Sequence, residues 1–280
     1  YYTVTATVDA GSNYNPITSA SPLTAILTIT QKELTFNWGR IGLDSDNLAE
    51  YDGNEHGISL VVTGIVGSDI VMLNYSLTGT PVEDDLNGLT QIANSTSYEL
   101  TAINAGEYAR TITGVTNTNY KLPDNTVSSF EIVPKLVFVS WSGVTTAFTY
   151  DGGTKTVRAN ITGVLATDAA DVSYVYDESG IPLDGVGGSG RIKISSERNA
   201  GEYVSILTGL SGAKAANYSL PTTCLSQNWD IAPRVITVSW TGSNSYVYNK
   251  TQRQVTASIT NLQSQDGVQD TVTITYKSTG

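Results

Sequence analysis

Two phrases of this chain recur in register. Asn104-Ala105-Gly106-Glu107-Tyr108 returns as Asn199-Ala200-Gly201-Glu202-Tyr203, and Tyr51-Asp52-Gly53 returns as Tyr150-Asp151-Gly152 and, altered, as Tyr248-Asn249-Lys250. The three tyrosines stand 99 and 98 residues apart. A period near one hundred residues is too long for a solenoid and right for a row of small β domains. The repeat therefore predicts about three units, some incomplete, where length alone would suggest about two.

Each unit opens on an apolar strand ending in tryptophan: Leu34 to Trp38, Leu136 to Trp141 and Val235 to Trp240. Before it stand Ile132-Val133-Pro134-Lys135, Ile231-Ala232-Pro233-Arg234 and, without proline, Ile29-Thr30-Gln31-Lys32. Proline removes one ladder donor and fixes φ, which suits a strand-to-strand junction. Neighbouring units would then be tied by one or two residues, as a stiff string rather than beads on a tether. After the tryptophan come a polar turn, Tyr-Asp-Gly, and a strand in which Val157, Ala159 and Ile161 alternate with Arg158, Asn160 and Thr162. Period two means one buried face and one wet face. The stretches 80–101 and 177–198 vary most and are rich in Gly, Asp and Ser, so they read as loops on a fixed frame, where binding concentrates.

Asn-Ala-Gly-Glu-Tyr then leads a further strand. A tyrosine there matches the tyrosine corner of immunoglobulin-like sandwiches, in which its hydroxyl bonds back to the main chain. Arg110 falls where such a sandwich normally buries an apolar residue. Asn13-Tyr14, Asn119-Tyr120 and Asn217-Tyr218 are equivalent, which gives the register of the N-terminus. Residues 1–31 read as the C-terminal part of a repeat, 32–133 and 134–232 as complete repeats, and 233–280 as the N-terminal half of another. Two explanations of this phase offset compete. The chain is a window from a longer repeat protein, or its half repeats complete one another between copies, building a filament by strand complementation. The expected fold is all-β, a tandem array of immunoglobulin-like β-sandwich domains of about 100 residues each, with a β-grasp unit as the alternative.

The Tyr150-Asp151-Gly152-Gly153-Thr154-Lys155 start, Ile161-Thr162-Gly163-Val164, Asn199 to Tyr203 and Leu207-Thr208-Gly209 through Pro221 resemble the MBG repeats of bacterial surface proteins. That resemblance implies a stalk, adhesin or matrix role outside the cell, on the bacterial surface. It supplies no catalytic residues.

Composition narrows the partners. The chain carries a net charge of −11 with a pI near 4.4, so nucleic acid and anionic lipid are repelled. No apolar run approaches the roughly 20 residues of a membrane helix. Cys224 is the sole cysteine and excludes an intrachain disulfide; it reads as a small, inert residue. Residue 1 is tyrosine and the sole methionine is Met72, so the sequence reads as a processed product or an internal window.

Catalytic chemistry finds little support. His56 is the only histidine and reads as a surface turn residue. Gly187-Gly188-Ser189-Gly190 lacks the Lys-Ser/Thr pair of a phosphate loop. Asp44 and Asp46 form the first part of an oxygen-ligand loop, and Glu83, Asp84 and Asp85 a second acidic cluster. These are the calcium candidates, read first as solvated loops, with no other cofactor expected. An isopeptide cross-link would need a buried lysine, and Lys155 neighbours Asp151 only in sequence. Trp38, Trp141 and Trp240 read as core or junction packing before sugar-stacking platforms. The expected partners are other copies or neighbouring repeats, with host or matrix glycans as the ligand of an alternative carbohydrate-binding reading through the variable loops.

Overall fold

The structure, a computed structural model, describes residues 2–6, 12, 23–141, 145–183, 190–265, 268–269 and 272–277. Among them the only helical piece is a 3-10 turn, Ala215–Asn217; everything else regular is β. The chain divides into two compact units, Tyr1–Val133 and Pro134–Gly280.

Unit 1 holds β1 (Tyr2–Ala6), β2 (Leu23–Leu27), β3 (Lys32–Glu33), β4 (Thr35–Ile41), β5 (Leu48–Glu50), β6 (His56–Thr63), β7 (Leu73–Thr78), β8 (Glu83–Asp84), β9 (Ser97–Ala102), β10 (Gly106–Val115), β11 (Tyr120–Lys121) and β12 (Val127–Val133). β1 and β2 form an antiparallel hairpin. From β4 onward the strands make two sheets, ordered β4-β6-β9-β8 and β5-β12-β10-β7. These are the A-B-E-D and A′-G-F-C sheets of an immunoglobulin-like sandwich, with β5 parallel to β12 and its other strands antiparallel. Strand order thus decides for the sandwich and against β-grasp.

β6 shows why the sequence folds this way. His56, Ile58, Leu60 and Val62 point inward at period two, and β6 is laddered on both sides, to β4 and β9. Facing them across the sandwich are Leu73 and Ile112, with Leu34, Phe36 and Tyr120 in the same core. A fully buried Leu60 contributes about 1.5–3 kcal/mol from the area removed from water. β10 carries a bulge between Ile112 and Gly114 against β7, which bends the strand over the core.

Unit 2 holds β13 (Lys135–Leu136), β14 (Phe138–Ser140), β15 (Ala147–Thr149), β16 (Lys155–Thr156), β17 (Asn160–Thr162), β18 (Ser173–Tyr176), β19 (Ile192–Lys193), β20 (Ser196–Glu197), β21 (Gly201–Ser211), β22 (Tyr218–Ser219), β23 (Ser226–Ala232), β24 (Val238–Thr241), β25 (Thr256–Ile259), β26 (Ser264–Gln265) and β27 (Val268–Gln269). β15-β23-β21-β18 repeats the A′-G-F-C order, with β19 added parallel to β21. The opposite sheet is broken into the pairs β14–β17 and β16–β20. Its core centres on Val157, Tyr203, Trp229 and Ile231. β24 and β25 pair as an isolated A–B hairpin.

The stretch 80–101 is not simply a loop: it contains β8 and most of β9, two strands of one sheet. Likewise 177–198 contains β19 and β20. Of the Gly187-Gly188-Ser189-Gly190 segment, residues 187–189 lie outside the described residues.

Candidate functional site

The repeated polar residues converge on the frame. At the corner before β10, the Tyr108 hydroxyl donates to the Asn104 carbonyl at 2.8 Å; before β21, the Tyr203 hydroxyl donates to the Asn199 carbonyl at 2.8 Å. Both are tyrosine corners in position and in bond. Each ring packs on the opposing G-strand aromatic: Tyr108 stacks on Phe130 at 5.0 Å between centroids, and Tyr203 lies at 4.7 Å from Trp229. Burial raises the pKa of both phenols.

Tyr-Asp-Gly is a turn locked at both ends. The Tyr51 amide donates to the Val133 carbonyl at 3.0 Å and the Tyr150 amide to the Ala232 carbonyl at 2.9 Å, closing the parallel A′–G pairing. Asp52 Oδ1 accepts the Asn54 amide at 2.8 Å, and Asp151 Oδ1 accepts the Gly153 amide at 2.9 Å. Gly53 and Gly152 both stand at φ +81°, where a Cβ is costly. The altered copy keeps the turn: Lys250 stands at φ +60° and Asn249 Oδ1 accepts the Thr251 amide at 3.2 Å.

The tryptophans are likewise built in. Trp38 Nε1 donates to the Asn125 carbonyl at 2.9 Å and Trp141 Nε1 to the Cys224 carbonyl at 2.7 Å, each tying the A strand to the loop before the G strand. Trp240 is exposed. Cys224 is also exposed and stands at φ +62°.

Three residues differ from their sequence reading. His56 is not a surface turn residue: it is buried at the start of β6, with Nδ1 2.7 Å from the Gly42 carbonyl and Nε2 2.9 Å from Asp52 Oδ1. A bond to the Asn54 side chain leads the causes that lower the Asp52 pKa to about 2, with the Asn54 amide and His56 adding to it against burial. Lys155 is near Asp151 in space as well as in sequence, with Nζ 2.6 Å from Oδ2, and this pair lowers the Asp151 pKa.

Arg110 is the third. It faces inward from β10 with no exposed surface, so the position is buried as a sandwich requires, by a paired cation instead of an apolar side chain. Its guanidinium donates to Asp84 Oδ1 at 2.5 Å and to the Tyr98 and Glu99 carbonyls at 3.1 and 2.8 Å. The Tyr75 hydroxyl donates to the other oxygen of Asp84 at 2.7 Å. Burial, followed by that bond, pushes the Tyr75 pKa up to about 12. In the next repeat Ser205 takes the place of Arg110 and donates to the Val157 carbonyl at 2.7 Å.

Three of the acidic candidates, Asp44, Asp84 and Asp85, serve the fold in the same way. Asp44 Oδ1 accepts the Asp46 and Leu48 amides at 2.8 and 2.9 Å, and Asp85 Oδ2 accepts the Glu99 amide at 2.9 Å. Glu83 lies on β8 beside Asp84. Among the described residues, no group of three or more His, Cys, Asp or Glu side chains converges. A groove of about 400 Å³ runs past Asp46, Tyr108 and Glu131. No helix among the described residues is long and apolar enough to cross a membrane.

No protein-family model matches the chain, and no curated protein matches it. Among solved structures, the N-terminal eight immunoglobulin domains of Down Syndrome Cell Adhesion Molecule match at 12% identity and TM-score 0.28, over 73% of this chain and 25% of that one. The chain thus spans a quarter of that structure's length. FdeC, an Escherichia coli adhesin, matches at 11% identity and TM-score 0.21, over 75% of this chain and 68% of that one. Likeness at this level carries no argument about function; the sandwich rests on strand order and the tyrosine corners.

Proposed function

We propose that this chain is a non-catalytic segment of a tandem-repeat surface protein, a stalk or spacer that carries an adhesive element away from a bacterial cell. One observation carries the reading. β12 ends at Val133 and β13 begins at Lys135, so Pro134 alone lies between the last strand of one repeat and the first of the next. A one-residue connection with φ fixed by proline restricts bending between successive sandwiches.

The polar residues support the same reading. In both complete repeats the tyrosine corner and the tryptophan N–H bond to backbone carbonyls, and the Tyr-Asp-Gly carboxylate bonds to a turn amide and to neighbouring side chains, all within the frame. Both ring nitrogens of the sole histidine are engaged, which leaves no free base for a His-dependent relay. The Tyr-Asp-Gly turn and its order relative to the tyrosine corner support membership of the MBG-type surface repeats, and with it an extracellular location.

Solution scattering tests the stalk. A compact globule of 280 residues has a radius of gyration of about 19 Å. A stiff row of sandwiches exceeds that by half or more at infinite dilution. A value near the globular one would overturn the reading.

A further inference from the structure

Both complete repeats carry an opposed acidic pair on their A′-G-F-C sheets. Glu107 of β10 stands directly opposite Glu131 of β12, and Glu202 of β21 directly opposite Asp230 of β23. Like charges in that relation are destabilising. The ladder brings them closer still. The Ile112 amide donates to the Thr126 carbonyl and the Leu207 amide to the Leu225 carbonyl. At period two, Tyr108–Phe130 and Tyr203–Trp229 are then hydrogen-bonded pairs, and each acidic pair is of the closer, non-hydrogen-bonded kind.

The second repeat meets this with a guanidinium. Arg191 Nη1 donates to Asp230 Oδ1 at 2.5 Å and to the Trp229 and Tyr203 carbonyls at 3.0 and 3.1 Å. Those carbonyls belong to a hydrogen-bonded pair, and each has a second lone pair for the arginine. Successive side chains alternate faces, so Asp230 points away from the buried Trp229 ring and the guanidinium lies on the outer face of the sheet. The Arg191 side chain is only 16% exposed there.

The first repeat has the same three acceptors without the arginine. Glu131, Phe130 and Tyr108 stand where Asp230, Trp229 and Tyr203 stand, and all three line the groove of about 400 Å³. Glu107 and Asp46 add two more carboxylates to its wall, and no Lys or Arg lines it. Among the described residues Asp46, Glu107 and Glu131 take part in no ion pair. Arg40, beside the 44–47 turn, is engaged by Asn47 Oδ1 and the Ser45 carbonyl. The place left open in one repeat is thus filled in the other, on equivalent acceptors, by a guanidinium.

We infer that this groove of the first repeat binds an arginine side chain carried by a basic segment of a partner protein. The guanidinium takes the position that Arg191 holds in the second repeat. It donates to Glu131 and to the Tyr108 and Phe130 carbonyls, with Glu107 and Asp46 alongside. Charge-assisted bonds to a carboxylate are strong for hydrogen bonds, and a guanidinium is more weakly hydrated than an ammonium. The arginine is peptide-borne because the free amino acid brings its own carboxylate, which this acidic wall repels. The inference adds a ligand to the first repeat and does not depend on the stalk reading.

Amide chemical shifts of the full chain, followed as N-acetyl-arginine amide is added, test the site. Saturable shifts are expected at 107–109 and 129–131, and none at 202–204 and 229–231, where Arg191 already sits. N-acetyl-citrulline amide, similar in shape but uncharged, should move neither set, and free arginine should bind more weakly. Glu131→Gln removes one charge-assisted bond and should weaken binding about tenfold. Arg191→Ala should bring a second set of saturable shifts, at 202–204 and 229–231. No saturable shift in the first repeat, an equal response to the citrulline compound, or undiminished binding by Glu131→Gln would each overturn the inference. So would an Arg191→Ala chain whose second repeat keeps its dispersed spectrum and takes up no ligand. Free arginine binding as tightly as the blocked form would overturn the peptide-borne source.

Discussion

Arg110 and Asp84 meet at 2.5 Å inside the first sandwich, one side chain wholly buried and the other nearly so. Removing one partner of such a pair leaves an uncompensated charge, which costs about 3–5 kcal/mol. Arg110→Ala should therefore shift the urea midpoint of the first repeat sharply down, with the second repeat unmoved. Replacing the network together, as Arg110→Met with Asp84→Leu and Tyr75→Phe, should recover most of that loss, because an apolar core at this position has no ion to desolvate. A triple variant as unstable as Arg110→Ala would show that shape, not charge pairing, decides this site.

The tyrosine corners should contribute less. Tyr108→Phe and Tyr203→Phe each delete one hydroxyl bond and keep the ring stacked on Phe130 or Trp229. A net hydrogen bond is worth about 0.5–1.5 kcal/mol. Each variant should fold and lose stability in that range in its own repeat, read by urea unfolding followed at the tryptophans. A loss larger than that range in either variant would mean the corner also decides strand order.

What was legible in advance, and what was not, has a physical basis. Asn-Ala-Gly-Glu-Tyr exposed the corner because the device is local: hydroxyl and acceptor are four residues apart. Tyr-Asp-Gly exposed the turn for the same reason. Arg110 was opaque because its partner lies 26 residues away on β8, in a stretch whose Gly, Asp and Ser content reads as loop. The glycines on either side of His56 read as a turn, while the period-two series Ile58, Leu60, Val62 extends back to it and is the signal that places it in the core. Lys155 and Asp151 were legible as neighbours, but only turn geometry brings their charges together.

The Asp52 carboxylate makes the first turn sensitive to acid. Its folded pKa, about 2, lies below the ordinary 3.8, so the fold favours the ionised form. The associated stability is complete above the ordinary value and is lost as pH falls through the folded value. Unfolding midpoints taken from pH 5 to pH 2 should therefore decline more steeply in the native chain than in Asp52→Asn. Since Asp52 is half exposed, the difference is that of a screened surface group. Equal slopes for the two chains would remove Asp52 from the account of acid sensitivity.

The turn glycines and Lys250 make the last comparison. Gly53 and Gly152 stand at φ +81°, and Lys250 stands at φ +60° in the corresponding turn. A side chain in left-handed backbone costs about 1–2 kcal/mol. Gly152→Ala incurs that cost and regains about 0.5–1 kcal/mol from a less flexible unfolded chain, so a net loss of a few tenths to about 1 kcal/mol should remain in the urea unfolding of its repeat. Lys250→Gly relieves the same cost and adds about 0.5–1 kcal/mol of unfolded-chain entropy, so a gain of a few tenths to about 1 kcal/mol should remain. Hydrogen exchange at the Thr251 amide, which bonds to Asn249, reads that gain locally. If Lys250→Gly speeds exchange there instead, the turn is held by the lysine side chain rather than by its backbone conformation.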